Sequence, residues 1–195
     1  VKPLKISQAL AKGLGCLIHI HISGGLLAGA YLCQKNTTLA QNCLDELIST
    51  QTPMDTLGKR LCWIRQAEIA LAQQKPELAL DIIDRIISSA PGIETGDVIT
   101  YPWILKGETF RCLGLFDEAI AYMQAAIINA HKMEERFLLW RAHASLGKLY
   151  LSTNHIEAAE QEFSTSRSII KNIAATILDP VIKDKYIKSA YNILS

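Results

Sequence analysis

Four alanines, Ala40, Ala79, Ala119 and Ala159, stand 39, 40 and 40 residues apart, and the chain around them falls into columns. Twelve residues before each alanine is a small residue, Ala28, Ala67, Gly107 or Gly147. Four after it is a large apolar one, Leu44, Ile83, Met123 or Phe163. Trp63 and Trp103 share the place sixteen residues before the alanine, where the other copies carry Gly24 and His143. Tyr31, Phe110 and Tyr150 share the place nine before it, with Ala70 as the exception. Residues of like size recur where like packing recurs, so a period of this length restricts the chain to repeated supersecondary units.

Each unit reads as two helices. In residues 116–130 the apolar Phe116, Ala119, Ile120, Met123, Ala126, Ile127 and Ala130 advance by three and four, the spacing of one buried helix face. Asn154 with Glu157 has the form of a capping box opening the second helix of the fourth unit. Pro76 suits the first turn of a helix, where its missing amide hydrogen costs nothing. Gly114 marks the turn inside the third unit, because glycine takes the left-handed geometry that ends a helix. Paired helices approach within about 8–10 Å only where one side presents little bulk. Gly107 and Gly147 are therefore expected to admit Ala119 and Ala159, with the large residues filling the space between successive hairpins. One hairpin cannot bury its apolar face alone, so neighbours must stack.

The expected fold is all-α, a solenoid of about four antiparallel helix pairs plus a terminal capping helix, in a single domain over 1–195. Its divisions are a remnant helix of a preceding repeat at 1–15, repeats at 16–50, 56–91, 98–132 and 134–176, and a capping helix at 180–195. In the cap, Ile182, Tyr186, Ile187 and Ala190 are expected to cover the last hairpin, while Lys183, Asp184, Lys185 and Lys188 face water. A first residue of Val in place of Met suggests a piece of something longer.

These residues resemble the tetratricopeptide repeat, whose consensus sets Trp, Leu-Gly, Tyr, a turn Gly, Ala, a large aromatic, Ala and Pro in a helix-turn-helix unit. Leu146, Gly147, Tyr150, Ala159 and Phe163 match in the fourth unit, and Trp103, Gly107, Phe110, Gly114, Ala119 and Ala126 in the third. Trp63, Ala79 and Pro91 match in the second, and Leu27, Tyr31 and Ala40 in the first. The resemblance spans residues 18–175 and is most specific in the last two units. The period departs from the family's usual 34 residues or so, and loops such as PGIETGDVIT at 91–100 supply the difference. A period near 40 looks like the arrays of large bacterial multidomain signalling and transcription regulators.

The resemblance implies a right-handed superhelix whose first helices line a concave groove for a protein or peptide, or for another domain of the same parent chain. Carried over by position, the groove residues are Ile64, Glu68 and Leu71 in the second unit. Tyr101, Ile104, Glu108, Arg111 and Cys112 follow in the third, and Arg141, Ala144, Lys148, Leu151 and Ser152 in the fourth. The groove is expected to be mixed, with Glu68 and Glu108 acidic and Arg111, Arg141 and Lys148 forming a basic end. The family's Lys and Asn clamp for a peptide carboxylate is replaced here by Gly25, Gly29, Ile64 and Glu68, which disfavours chaperone-tail binding.

Twenty basic and nineteen acidic residues leave a net charge of +1, which argues against nucleic acid as a direct partner. The five cysteines, at 16, 33, 43, 62 and 112, are odd in number and scattered, which fits a reduced, cytoplasmic compartment better than a disulfide framework or a zinc site. Residues 14–33 pass without a charge, as in a membrane span or signal peptide, but His19, His21 and glycines 15, 24, 25 and 29 argue against a span.

Catalysis is not indicated. His143 occupies the tryptophan column, His155 lies in a turn, and His19 and His21 diverge on a helix by about 200°. No Walker-type phosphate loop, Gly-x-Ser-x-Gly elbow or His-Glu-x-x-His motif occurs, and the expectation is a non-enzyme with no cofactor or metal. Two alternatives stand beside the scaffold. One is a small-ligand effector site in an apolar groove lined by Ile64, Leu71, Ile104 and Cys112; the other is a membrane-tethered helical protein. Oligomeric state is left open by the sequence.

Overall fold

A computed structural model describes residues 1–89 and 99–194 of the chain. Pro91, most of the loop 91–100 and Ser195 lie outside the described residues. Ten helices and no strand are present among the described residues. In chain order they are α1 (Lys2–Gly13), α2 (Leu17–Cys33), α3 (Thr37–Asp45), α4 (Leu57–Ala72), α5 (Pro76–Ser89), α6 (Thr100–Cys112), α7 (Phe116–Lys132), α8 (Arg136–Ser152), α9 (Ile156–Ala175) and α10 (Pro180–Leu194). Helices α1–α5 gather into one compact unit, Val1–Pro91, and α6–α10 into a second, Gly92–Ser195.

Helices α2/α3, α4/α5, α6/α7 and α8/α9 are the four paired elements, and each turn within a pair has one geometry. Lys35, Gln74, Gly114 and Asn154 all have positive φ, 58°, 58°, 76° and 62°, and each stands five residues before its column alanine. The amide of the following residue reaches back to a carbonyl in the last turn: Asn36 to Tyr31 at 2.9 Å, Lys75 to Ala70 at 2.9 Å, Leu115 to Phe110 at 2.9 Å and His155 to Tyr150 at 2.8 Å. This is the Schellman closure, and the column nine residues before the alanine supplies its acceptor. Gly15 and Glu134 close α1 and α7 in the same way, through Cys16 to Ala11 at 3.1 Å and Glu135 to Ala130 at 2.8 Å. The capping-box expectation is corrected here. Asn154 is left-handed and ends α8, and His155, which starts α9, makes no side-chain cap. In the first pair the asparagine does cap, the Leu39 amide donating to the Asn36 side chain at 3.0 Å.

The repeat columns are the core. Ala40, Ala79, Ala119 and Ala159 are fully buried, as are Ala28 and Ala67 and the apolar Leu44, Ile83 and Met123. The large residues pack in two directions. A methyl group added at Gly147 would lie 2.8 Å from the Phe163 ring, and one at Gly107 would lie 2.8 Å from Met123. Phe163 and Met123 therefore lie over the glycines of their own hairpins, while Met123 also packs with Ala142, Leu146 and Leu149 of the next hairpin and Leu44 with Cys62 and Ile69. In the second unit, Ile104, Ala119, Met123, Ala126, Ala142, Leu146 and Leu149 form one cluster, to which Trp103, Phe110 and Tyr150 contribute at the edge.

Close packing also accounts for the later part of the uncharged run at 14–33, where Ser23, Gly24, Gly25, Leu27, Ala28, Gly29 and Tyr31 are buried. Helix α2 contacts α1, α3 and α4, so from Ser23 onward it has little water-facing surface on which to carry charge. A methyl group at Gly25 would meet Leu61 at 2.9 Å, and one at Gly29 would meet Arg65 at 2.8 Å. The glycines are thus sites of close approach by α4. Among the described residues no helix is long and apolar enough to cross a membrane.

The cap expectation is partly corrected. Ile182 is exposed, Ile187 and Lys183 are half-buried, and the covering is done by Ala190 with Tyr186, Tyr191 and Leu194 against Trp140, Ala144 and Ile170. Trp140 is the largest fully buried side chain. It stands one turn before the His143 column, where the repeat alignment does not draw attention to it.

Two stability changes follow. Gly147→Ala is expected to lower stability by about 1–3 kcal/mol through overpacking, despite a gain of about 1 kcal/mol in helix propensity. Adding Phe163→Leu should recover part of that loss in urea-unfolding midpoints. Gln74→Gly should raise stability by up to about 1 kcal/mol, and the urea midpoint with it, because glycine relieves the left-handed backbone; a drop on this substitution would contradict the turn geometry.

Candidate interaction face on α6 and α8

The expected groove residues divide by helix and by depth. Ile64, Ile104 and Ala144, all fifteen residues before a column alanine, are 6%, 1% and 1% exposed. Their assignment to an accessible groove is corrected, for a physical reason: this position faces neighbouring helices. Ile104 belongs to the central cluster of the second unit, and Ala144 lies under α10 with Trp140 and Ile170. The same burial removes Ile64 and Ile104 from the lining of the apolar effector groove, leaving half-buried Leu71 and exposed Cys112.

The remaining positions of the second unit come together. The Arg141 guanidinium donates from Nη2 to the Tyr101 hydroxyl at 3.1 Å and lies 4.9 Å from the centre of the Tyr101 ring and 5.9 Å from that of Phe137. Cation–π attraction and a hydrogen bond thus hold one pair of column-equivalent residues across α6 and α8. Two turns on, the Ser145 hydroxyl donates to the Glu108 carboxylate at 2.7 Å. Burial pushes the Lys148 ammonium below its ordinary value of 10.5, Glu108 opposes that shift, and Arg111 adds to it. Arg111 is half-buried, while Leu151, Ser152 and Cys112 are exposed at the end of the face. The expected separation into acidic and basic parts is modified, since Glu108 lies among the cations.

In the first unit, α4 carries the equivalent positions differently. The Arg65 guanidinium donates to Glu68 at 2.7 Å along one helix. Where α6 and α8 place Glu108 opposite Ser145, the equivalent pair of α2 and α4 is Gly29 opposite Arg65. A large residue on one helix meets a small one on the other in both cases, with the order reversed.

Trp63 and His143 carry polar duties that their shared column does not convey. Trp63 donates its indole hydrogen to the Thr52 carbonyl at 3.2 Å, and Arg60 donates to the Met54 carbonyl at 2.8 Å, so both tie down the connection before α4. His143 Nδ1 is hydrogen-bonded to Glu162 at 2.6 Å. A cavity of about 320 Å³ in the first unit is lined by Gln41, Ile48, Trp63, Leu78, Ile82 and Arg85, among others. Trp63 alone of these was singled out in the sequence, as a packing residue. Among the described residues no cluster of three or more His, Cys, Asp or Glu is arranged to hold a metal ion.

Comparison of the sequence with protein-family models and with curated proteins finds no match.

Glu108→Gln is expected to lower the Lys148 pKa further, and Arg111→Gln to raise it, as followed by NMR titration of the lysine ε-methylene signals. Because the folded value lies below the unfolded one, protonated Lys148 weakens the fold. That cost is expected to fade as pH rises from the folded value towards 10.5.

Proposed function

We propose that this chain is a non-catalytic interaction scaffold of the tetratricopeptide kind, a right-handed helical solenoid that binds a protein, a peptide or another domain of its parent chain. The observation that carries the reading is the partly exposed side of α6 and α8, where Arg141 is hydrogen-bonded to Tyr101, Glu108 is hydrogen-bonded to Ser145, and Lys148 and Arg111 lie near Glu108 and each other. Such a surface is preorganised and mixed in charge, and it suits an extended or helical partner bearing carboxylates, gripped by charge-assisted hydrogen bonds. Turn closures recurring at 39, 40 and 40 residues support the repeat reading. A regulatory role beside a switch or DNA-binding domain, as in bacterial multidomain regulators, follows from the family resemblance. A cytoplasmic setting accords with five unpaired cysteines.

The test is affinity capture with the wild-type chain and with an Arg111→Ala, Arg141→Ala, Lys148→Ala variant, both first shown to be helical. A partner of this face should bind the variant at least about tenfold more weakly, and its wild-type affinity should fall with salt. Equal retention by both forms would place binding elsewhere.

A further inference from the structure

The overall charge of +1 conceals a strong asymmetry. The first 44 residues carry Lys2, Lys5, Lys12 and Lys35 and no Asp or Glu, whereas the rest of the chain holds sixteen basic and nineteen acidic residues. Helix α1 carries apolar residues on its outer side as well as its inner one. Its inner side is Val1, Leu4 and Ala11, with Val1 and Leu4 against the core of the first unit and Ala11 buried. Its outer side carries Ile6 and Leu10, both exposed. The turn that follows adds Leu14 and Leu17, 82% and 68% exposed, and Ile18 beside them. Lys2, Lys5 and Lys12 are all exposed along the same helix. Lys12 meets Glu46 at 2.8 Å in a water-facing pair, and Lys5 lies 6.0 Å from the centre of the Tyr31 ring.

We propose that the outer face of α1 and the α1–α2 turn form a peripheral docking site for an anionic lipid bilayer. The turn would insert Leu14 and Leu17 to the depth of the acyl boundary, with Ile6, Leu10 and Ile18 at the interface and the lysines among the headgroups. Charge complementarity selects this occupant. Lys2, Lys5 and Lys12 outnumber the one acid beside them, Glu46, so the face keeps a positive balance that a negatively charged leaflet attracts, and exposed leucines gain by leaving water there. An acidic protein surface would satisfy the lysines but not five exposed large apolar side chains along α1 and the turn that follows. Insertion is shallow and reversible, which is compatible with the absence of a long apolar helix among the described residues. This site lies on the first unit and does not depend on the partner face of α6 and α8.

The experiment is co-sedimentation of the 195-residue chain with vesicles of phosphatidylcholine alone and of phosphatidylcholine with roughly 30% phosphatidylserine. Two variants are compared after their helicity is checked: Leu14→Asp with Leu17→Asp, and Lys2→Gln with Lys5→Gln. Binding should require phosphatidylserine, weaken in about 0.5 M salt, and fall about tenfold or more in each variant. Binding that is equal on neutral vesicles, or unaffected by either variant, overturns the proposal. So does absence of vesicle binding by a wild-type dimer that Leu14→Asp with Leu17→Asp converts to monomer, because a second copy would then be what covers this face.

Discussion

The register of each hairpin depends on one left-handed residue. Lys35, Gln74, Gly114 and Asn154 end the first helix of their pairs, and the two amides at each turn return to carbonyls three and five residues back. That geometry delivers the column alanine five residues later to the place where the opposing helix is small. A slip of one residue would rotate the second helix by about 100° and carry Phe163 away from Gly147, leaving a void on one side and a clash on the other. Only Gly114 of the four is glycine. The other turns bear the cost of a left-handed non-glycine residue, about 1–2 kcal/mol, against the packing that their register secures.

The columns themselves were legible in the sequence because they report steric identity. Gly107 and Gly147 could be matched to buried positions by size alone, and burial of the column alanines follows from their recurrence. Direction was harder to read. The position after the tryptophan column was assigned to a groove by resemblance, yet Ile64, Ile104 and Ala144 are buried, as an apolar triplet at one recurring place should have suggested. Asn154 with Glu157 fits the capping pattern by residue type, but asparagine also tolerates the left-handed conformation, and spacing from the neighbouring turns decides between the two roles. Trp140 escaped the alignment because its counterparts are Thr100, Arg60 and His21, a column with no common chemistry. Three of the four instead share a task, tying their helix to nearby chain by hydrogen bonds: His21 to the Leu47 carbonyl, Arg60 to the Met54 carbonyl and Thr100 to Asn129.

Hydropathy alone could not distinguish a membrane span from a helix enclosed by protein, because both remove charge from every side. What separates them in α2 is glycine. A lipid-facing helix has no need of a bare backbone at 25 and 29, whereas α4 needs it to bring Leu61 and Arg65 close. The apolar residues at the start of the same run, Leu14, Leu17 and Ile18, are not enclosed. One stretch of sequence thus joins two surfaces of different physical character, a buried helix and a protruding turn.

The same glycines explain why an open polar face belongs to one pair of first helices and not the other. With Gly25 and Gly29 on α2, the side chains of Leu61 and Arg65 lie directly on the opposing backbone, and any furrow between α2 and α4 is filled from the α4 side. On α6 the equivalent residues are Ile104 and Glu108. Ile104 goes inward, Glu108 reaches across to the small Ser145, and the large Arg141 turns along the surface onto Tyr101. Exchange of large and small between partners preserves the fit of the helices while changing what they present to water. Within one repeating framework, the choice of which helix carries the glycine decides whether a pair closes on itself or presents polar side chains at its surface.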